Sequence, residues 1–135
     1  MNKDLIKCFK KTNELKNTSG ILKWIPLVTE IGIILHLDLN NCFLDSLQSL
    51  SYIQQSYSYI FKPNSGAIGR VWNNKTNEII NISKKTRFDE FHRTGIALEN
   101  DIHEINITYD NLNNCIIEYL NNTNVNTKLI KYNIN

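Results

Sequence analysis

No stretch of this sequence approaches the ~20 apolar residues that a membrane-spanning helix requires. The longest apolar run, residues 31–39, is interrupted by Gly32, His36 and Asp38. Residues 1–11 carry Asp4 and several lysines, so an unbroken apolar segment of the signal-peptide type is missing and a cytoplasmic location is expected. Cysteine is scarce. Cys8, Cys42 and Cys115 are odd in number and far apart, which excludes the short spacing of a zinc site or a redox dithiol. They read as small buried hydrophobes in a reducing compartment. An excess of one charge is also lacking, because 15 Lys and Arg stand against 13 Asp and Glu. The resulting +2 provides neither a basic groove for nucleic acid nor a patch for an anionic membrane.

Chemical signatures are equally thin. The chain has no Gly-x-x-x-x-Gly-Lys-Ser/Thr loop, no Gly-x-Gly-x-x-Gly turn and no His-Glu-x-x-His helix. His36, His92 and His103 fall on three separate predicted elements without carboxylates at ligand spacing. No nucleophile elbow holds a Ser, His and Asp together. A non-catalytic protein without a metal is the expectation, and no cofactor is indicated.

What is present is the material of one domain. The 135 residues, 41% of them hydrophobic, suit a single core that buries roughly two-thirds of the unfolded surface. Asn recurs throughout with Ile and Lys, the bias that AT-rich codons produce, while the apolar residues keep clear periods.

Residues 4–16 read as a helix with Leu5, Cys8, Phe9, Thr12 and Leu15 along one moderately apolar face and lysines around the rest. The run Asn17-Thr18-Ser19-Gly20 is expected to stop it, with Gly20 at positive φ. Residues 22–28 and 31–37 read as a hairpin turned at Thr29-Glu30, and Pro26 demands an edge or a strand end. A helix from Asn41 would carry Phe43, Leu47, Leu50 and Gln54 on one face. Residues 57–62 read as a strand, residues 68–72 as a short helix after the turn Pro63-Asn64-Ser65-Gly66, and residues 78–82 as another strand. Thr86-x-x-Asp89 has the form of a capping box opening a helix faced by Phe88, Phe91, Gly95 and Leu98. A Gly95 inside that helix hints at a close approach. Residues 102–108 and 115–120 read as strands, and residues 128–134 as a last strand or short helix. The expectation is a single domain over residues 1–135: a leading helix (1–18), a core (22–121) and a tail (122–135). Helices and strands in this order point to an α+β fold with an antiparallel sheet.

One stretch is distinctive: Tyr59-Ile60-Phe61-Lys62-Pro63-Asn64-Ser65-Gly66-Ala67-Ile68-Gly69-Arg70-Val71-Trp72. It resembles a signature of GAF domains, in which an aromatic strand ending in Phe leads through a Gly-rich turn to Gly-Arg-Val-Trp. The likeness continues in order. Residues 78–83 resemble the following strand. Phe91, Arg93 and Ala97 are similar to the family's Phe-x-Arg-x-x-x-Ala helix. Ile116-Ile117-Glu118-Tyr119 takes the place of the usual Val-Leu-Glu-Phe in the closing hairpin. The chain departs from the pattern at Cys115, where a Gly commonly precedes the last strand, and at Asn106, where a Pro often stands.

The resemblance implies a GAF-like (PAS/profilin-like) three-layer arrangement, with about six antiparallel strands and helices packed on them. It implies a sensory or regulatory small-molecule-binding domain in signalling, with a pocket between sheet and helices. Tyr59, Phe61, Trp72, Phe91, His92 and Ile105 are its expected lining. The cysteine pattern of free methionine sulfoxide reductases is absent, and Asp89 follows Phe88 without the three-residue gap of cyclic-nucleotide-binding GAF domains. The alternative is a protein-interaction or dimerisation module without a small ligand, a homodimer pairing through the N-terminal helix with Leu5, Phe9 and Leu15 as the seam. Arg70 is expected to stack on an aromatic ring or to pair with Glu78 or Glu118.

Overall fold

The structure is a computed structural model that describes residues 18–45, 47–121 and 129–132. The helix expected over residues 4–16 lies outside the described residues. The chain runs β1 (Thr18–Thr29), β2 (Gly32–Leu37), a 3-10 turn (Leu39–Asn41), β3 (Phe43–Leu44), α1 (Leu47–Ser56), β4 (Ile60–Phe61) and α2 (Gly66–Asn74). It continues with β5 (Glu78–Asn81), α3 (Thr94–Glu99), β6 (Glu104–Asp110), β7 (Cys115–Asn121) and β8 (Ile130–Lys131). The fold is α+β. Its curled antiparallel sheet has the main order β4-β2-β1-β7-β6-β5, with β3 paired to β1 and β8 to β3. Among the described residues no helix is long and apolar enough to cross a membrane.

β1 organises this sheet because it is long enough to hold three neighbours. Its first half pairs with β7, from Thr18↔Asn121 to Trp24↔Ile116. On its other edge it takes β3 at Gly20 and Ile21, then β2 from Trp24 to Thr29. Pro26, which has no N–H to donate, sits beyond the last β7 pair, where one side of β1 needs no ladder. The hairpin turns at residues 30–31, one position later than expected, because Gly32 supplies the positive φ (113°) and pairs with Thr29.

Period-2 alternation sorts the side chains onto two faces. One face carries Leu22, Trp24, Leu35, Leu37, Ile105, Ile107, Ile116 and Leu120 and receives all three described helices through Tyr52, Ile53, Ala67, Ile68, Val71, Trp72 and Ala97. The opposite face buries a second cluster, Ile21, Phe43, Cys115, Ile117 and Tyr119.

Several local expectations are corrected. Thr18 to Gly20 do not end a helix but open β1, where Ser19 falls at a register shift and gives its hydroxyl to the Leu120 carbonyl at 3.2 Å. The segment after Asn41 begins as a strand, because Phe43 pairs with Ile21. α1 then buries Ser49, Tyr52, Ile53 and Ser56 and leaves Leu47 and Gln54 exposed. Two serines on the inner face hid its phase from a hydrophobic count. Thr86 does not cap a helix; its hydroxyl accepts from Ser83 N at 2.9 Å and donates to the Asn81 carbonyl, tying off a loop. α3 starts only at Thr94, and the space beside Gly95 is open. The expected strand over residues 57–62 shrinks to β4, and the tail contributes β8.

Candidate functional site

The polar centre of the helix-bearing face is an ion pair that sequence reasoning did not assemble. Glu118 lies mid-strand in β7, and Arg93 occupies the N-cap position of α3. Arg93 Nη1 donates to Glu118 Oε1 at 2.9 Å and to Ser56 Oγ at 3.1 Å. Trp24 Nε1 donates to the same carboxylate oxygen at 2.9 Å, and Tyr52 Oη donates to Oε2 at 2.8 Å. The Arg93 and Glu118 side chains are 1% and 0% exposed. Desolvating two charges costs several kcal/mol per ion, so such a pair persists only where further hydrogen bonds complete it. Here the indole and the phenol complete the carboxylate, while on the guanidinium the serine meets Nη1 alone.

Four rings enclose the guanidinium. Its Cζ stands 4.8 Å from the Phe91 centroid, 4.9 Å from Trp24 and 5.4 Å from both Tyr52 and Phe61. Their faces attract the cation. Burial by itself would weaken the Arg93 charge, but the Glu118 carboxylate outweighs it and lifts the group above its ordinary range. Burial, helped by Glu118 and opposed by Arg93, pushes the Tyr52 phenol well above its usual value, so Tyr52 stays a proton donor. Arg93 Nε and Nη2 are buried with no hydrogen-bond partner among the described residues.

From this centre a line of rings leads outward. Tyr59 stacks on Phe61 with centroids 6.1 Å apart, Phe61 meets His92 at 5.8 Å, and His92 stacks flat on Phe88 at 4.3 Å and 4°. Phe88 is 70% exposed, so the line reaches solvent. Burial first, then the charges of Arg70 and Arg93, hold the His92 imidazole below its ordinary pKa, so the ring is neutral at pH 7.

The glycines of the α2 turn make these approaches feasible. Gly66 has φ 63°, and a Cβ there would stand 3.2 Å from His92 Nδ1 and from the Phe61 ring. A Cβ on Gly69 would lie 2.2 Å from the Lys62 carbonyl oxygen, so the turn's own backbone closes on it. Arg70, on α2, grips the loop that carries Phe88 and His92. It holds Glu78 through Nε and Nη2 at 3.1 and 2.9 Å, and donates to the carbonyls of Asp89 and Glu90 at 2.7 Å each. Of the two carboxylates expected for Arg70, Glu78 is the partner.

The six expected lining residues separate into two groups. Tyr59, Phe61 and His92 touch in series, and Phe91 joins them through Arg93. Trp72 stands apart, edge-on to Tyr109 at 6.0 Å under the Lys75 ammonium, 3.6 Å from the indole centroid. Ile105 is a fully buried core side chain between Ile80 and Leu120 in the sheet. Trp24, Tyr52, Ser56, Arg93 and Glu118 were absent from the expected site. A charge inside the apolar run Ile116-Ile117-Glu118-Tyr119-Leu120 and the places of Arg93 and Glu118 in the resemblance were the signals available, and neither names a partner. Among the described residues no three His, Cys, Asp or Glu gather closely enough to hold a metal ion. Compared with known proteins, the chain matches no protein-family model and no curated protein.

Proposed function

We propose that the chain is a non-catalytic regulatory domain of GAF-like type that binds a small molecule on the helix-bearing side of its sheet. The observation that carries this reading is Arg93, a cation 1% exposed whose Nε and Nη2 donors are unmet among the described residues. Unmet buried donors carry a free-energy penalty that an acceptor oxygen would relieve. Next to Arg93 in sequence, His92 lies under an exposed Phe88 and connects this centre to solvent. The resemblance around Gly66 to Trp72 and around Phe91 to Ala97 supports the same reading, as does an α+β fold with helices on an antiparallel sheet.

A thermal-shift screen of nucleotides, amino acids and tetrapyrroles tests it. A specific ligand at 100 times its Kd adds about 2.7 kcal/mol. His92→Ala should weaken that ligand with little change in stability. A screen with no shift in any class leaves the proposal without support and favours the second reading, a protein-interaction module. That reading has one observation of its own. Leu27, Val28, Ile31 and Ile33 are exposed together on the β1–β2 hairpin. Val28→Lys with Ile31→Lys should then abolish concentration-dependent association in sedimentation.

A further inference from the structure

The sheet face opposite the described helices is covered along its middle and open at its sides. Ile21 and Cys115 are 0% exposed, Ile117 2% and Tyr119 6%. On the same face Ile60 of β4 is 58% exposed and Ile79 of β5 is 69% exposed. The buried strip therefore follows β1 and β7, two neighbouring strands about 5 Å apart, widened at the level of Ile21 and Tyr119 by Phe43 of β3 and Asn106 of β6, while Ile60 and Ile79 on the outer strands stay wet. A helix, roughly 10 Å across, covers a strip of that width. Yet among the described residues none from α1, α2 or α3 belongs to this cluster, and those that pack against it from outside are Ile25 and Leu129.

We propose that this strip is the docking surface for the chain's own first 17 residues, with the face Leu5, Cys8, Phe9, Thr12 and Leu15 laid on Ile21, Cys115, Ile117 and Tyr119. Three features of the chain select this occupant. The segment joins the fold at Thr18, the first residue of β1 and the head of the strip. A helix over residues 4–16 would be about 20 Å long, close to the ~26 Å spanned by residues 18–25 of β1. The other residues outside the described ones, Ser46, 122–128 (Asn-Thr-Asn-Val-Asn-Thr-Lys) and 133–135 (Asn-Ile-Asn), offer only Val125 and Ile134 as apolar cover. The docked segment supplies the third layer of the fold, and its apolar stripe is spent within the chain rather than in a dimer seam.

Cys115 reports on this cover, and Cys42, in the cluster on the other face, serves as its internal control. Burial, with Asp110 adding to it, pushes the Cys115 thiol up to about 11, so the covered thiol reacts slowly. The full chain is labelled with N-ethylmaleimide at pH 8, and each cysteine peptide is followed by mass spectrometry. Phe9→Asp should speed labelling of Cys115 at least about tenfold and leave Cys42 slow, whereas Lys10→Asp, on the polar side, should change neither. Equal acceleration by both substitutions, or none by Phe9→Asp, overturns the proposal. Protection of Cys115 that falls on dilution, with a dimer in sedimentation, also overturns it by making a second copy the cover. Hydrogen exchange on the unsubstituted chain gives an arm that needs no variant. Amides 6–15 should exchange at least about 100-fold below their intrinsic rates, and exchange at intrinsic rates refutes the docking.

Discussion

Arg93 Nη1 and Glu118 Oε1 meet at 2.9 Å, joining the start of α3 to the middle of β7 across 25 residues of sequence. Because the pair also collects Trp24 from β1 and Tyr52 and Ser56 from α1, one carboxylate and one guanidinium tie four elements together. Removing one member leaves the other charge buried and unpaired, which costs about 3–5 kcal/mol. Glu118→Gln and Arg93→Met should each lose that much in urea unfolding. The double variant should lose less than the sum by at least ~1 kcal/mol. Additivity within ~0.5 kcal/mol would mean that the two side chains act separately.

Gly69 and Gly95 should respond to alanine in opposite directions. At Gly69 the new methyl meets the Lys62 carbonyl oxygen at 2.2 Å, and backbone must move. We expect a loss of about 1–3 kcal/mol or more, with any ligand affinity of the folded fraction unchanged. At Gly95 a Cβ meets nothing within 4 Å and the helix gains propensity, so Gly95→Ala should stabilise by about 0.5–1 kcal/mol. Chemical denaturation of both variants checks the pair, and a destabilised Gly95→Ala would contradict the open space beside it.

His92 makes folding sensitive to mild acid. Its imidazole titrates below the ordinary 6.5 in the folded chain, through burial and then Arg70 and Arg93. The unfolded chain therefore takes up a proton first as pH falls through 6.5, and the native state loses stability until folded His92 is itself protonated. The advantage of the wild type over His92→Gln should shrink between pH 7 and pH 5. A difference that stays flat across that range would show that the ring is freely solvated.

Trp72 anchors the far end of α2. Its ring is 9% exposed, edge-on to Tyr109 and capped by Lys75. Trp72→Ala should cost about 3–5 kcal/mol. A loss under 1 kcal/mol in urea titration would place the ring outside the core.

The sequence by itself determined the features whose causes are local. The strands expected over residues 102–108 and 115–120 match the last hairpin, β6 and β7, the Gly66 to Trp72 pattern shows α2, and Pro26 marks where β1 lacks a second neighbour. Tertiary structure decided the rest because the deciding partners are remote. The phase of α1 depends on Tyr52 reaching Glu118, 66 residues away, with two serines beside it that no hydrophobic period counts. The short form of α3 follows from Arg70 holding the Asp89 and Glu90 carbonyls from 19 and 20 residues upstream, which commits those residues to a loop. Even the resemblance, which singled out Arg93 and Glu118 separately, held nothing to say that they touch. A buried charge is visible in a sequence as an anomaly, but its partner is chosen by the packing of elements, and that packing exists only in the folded chain.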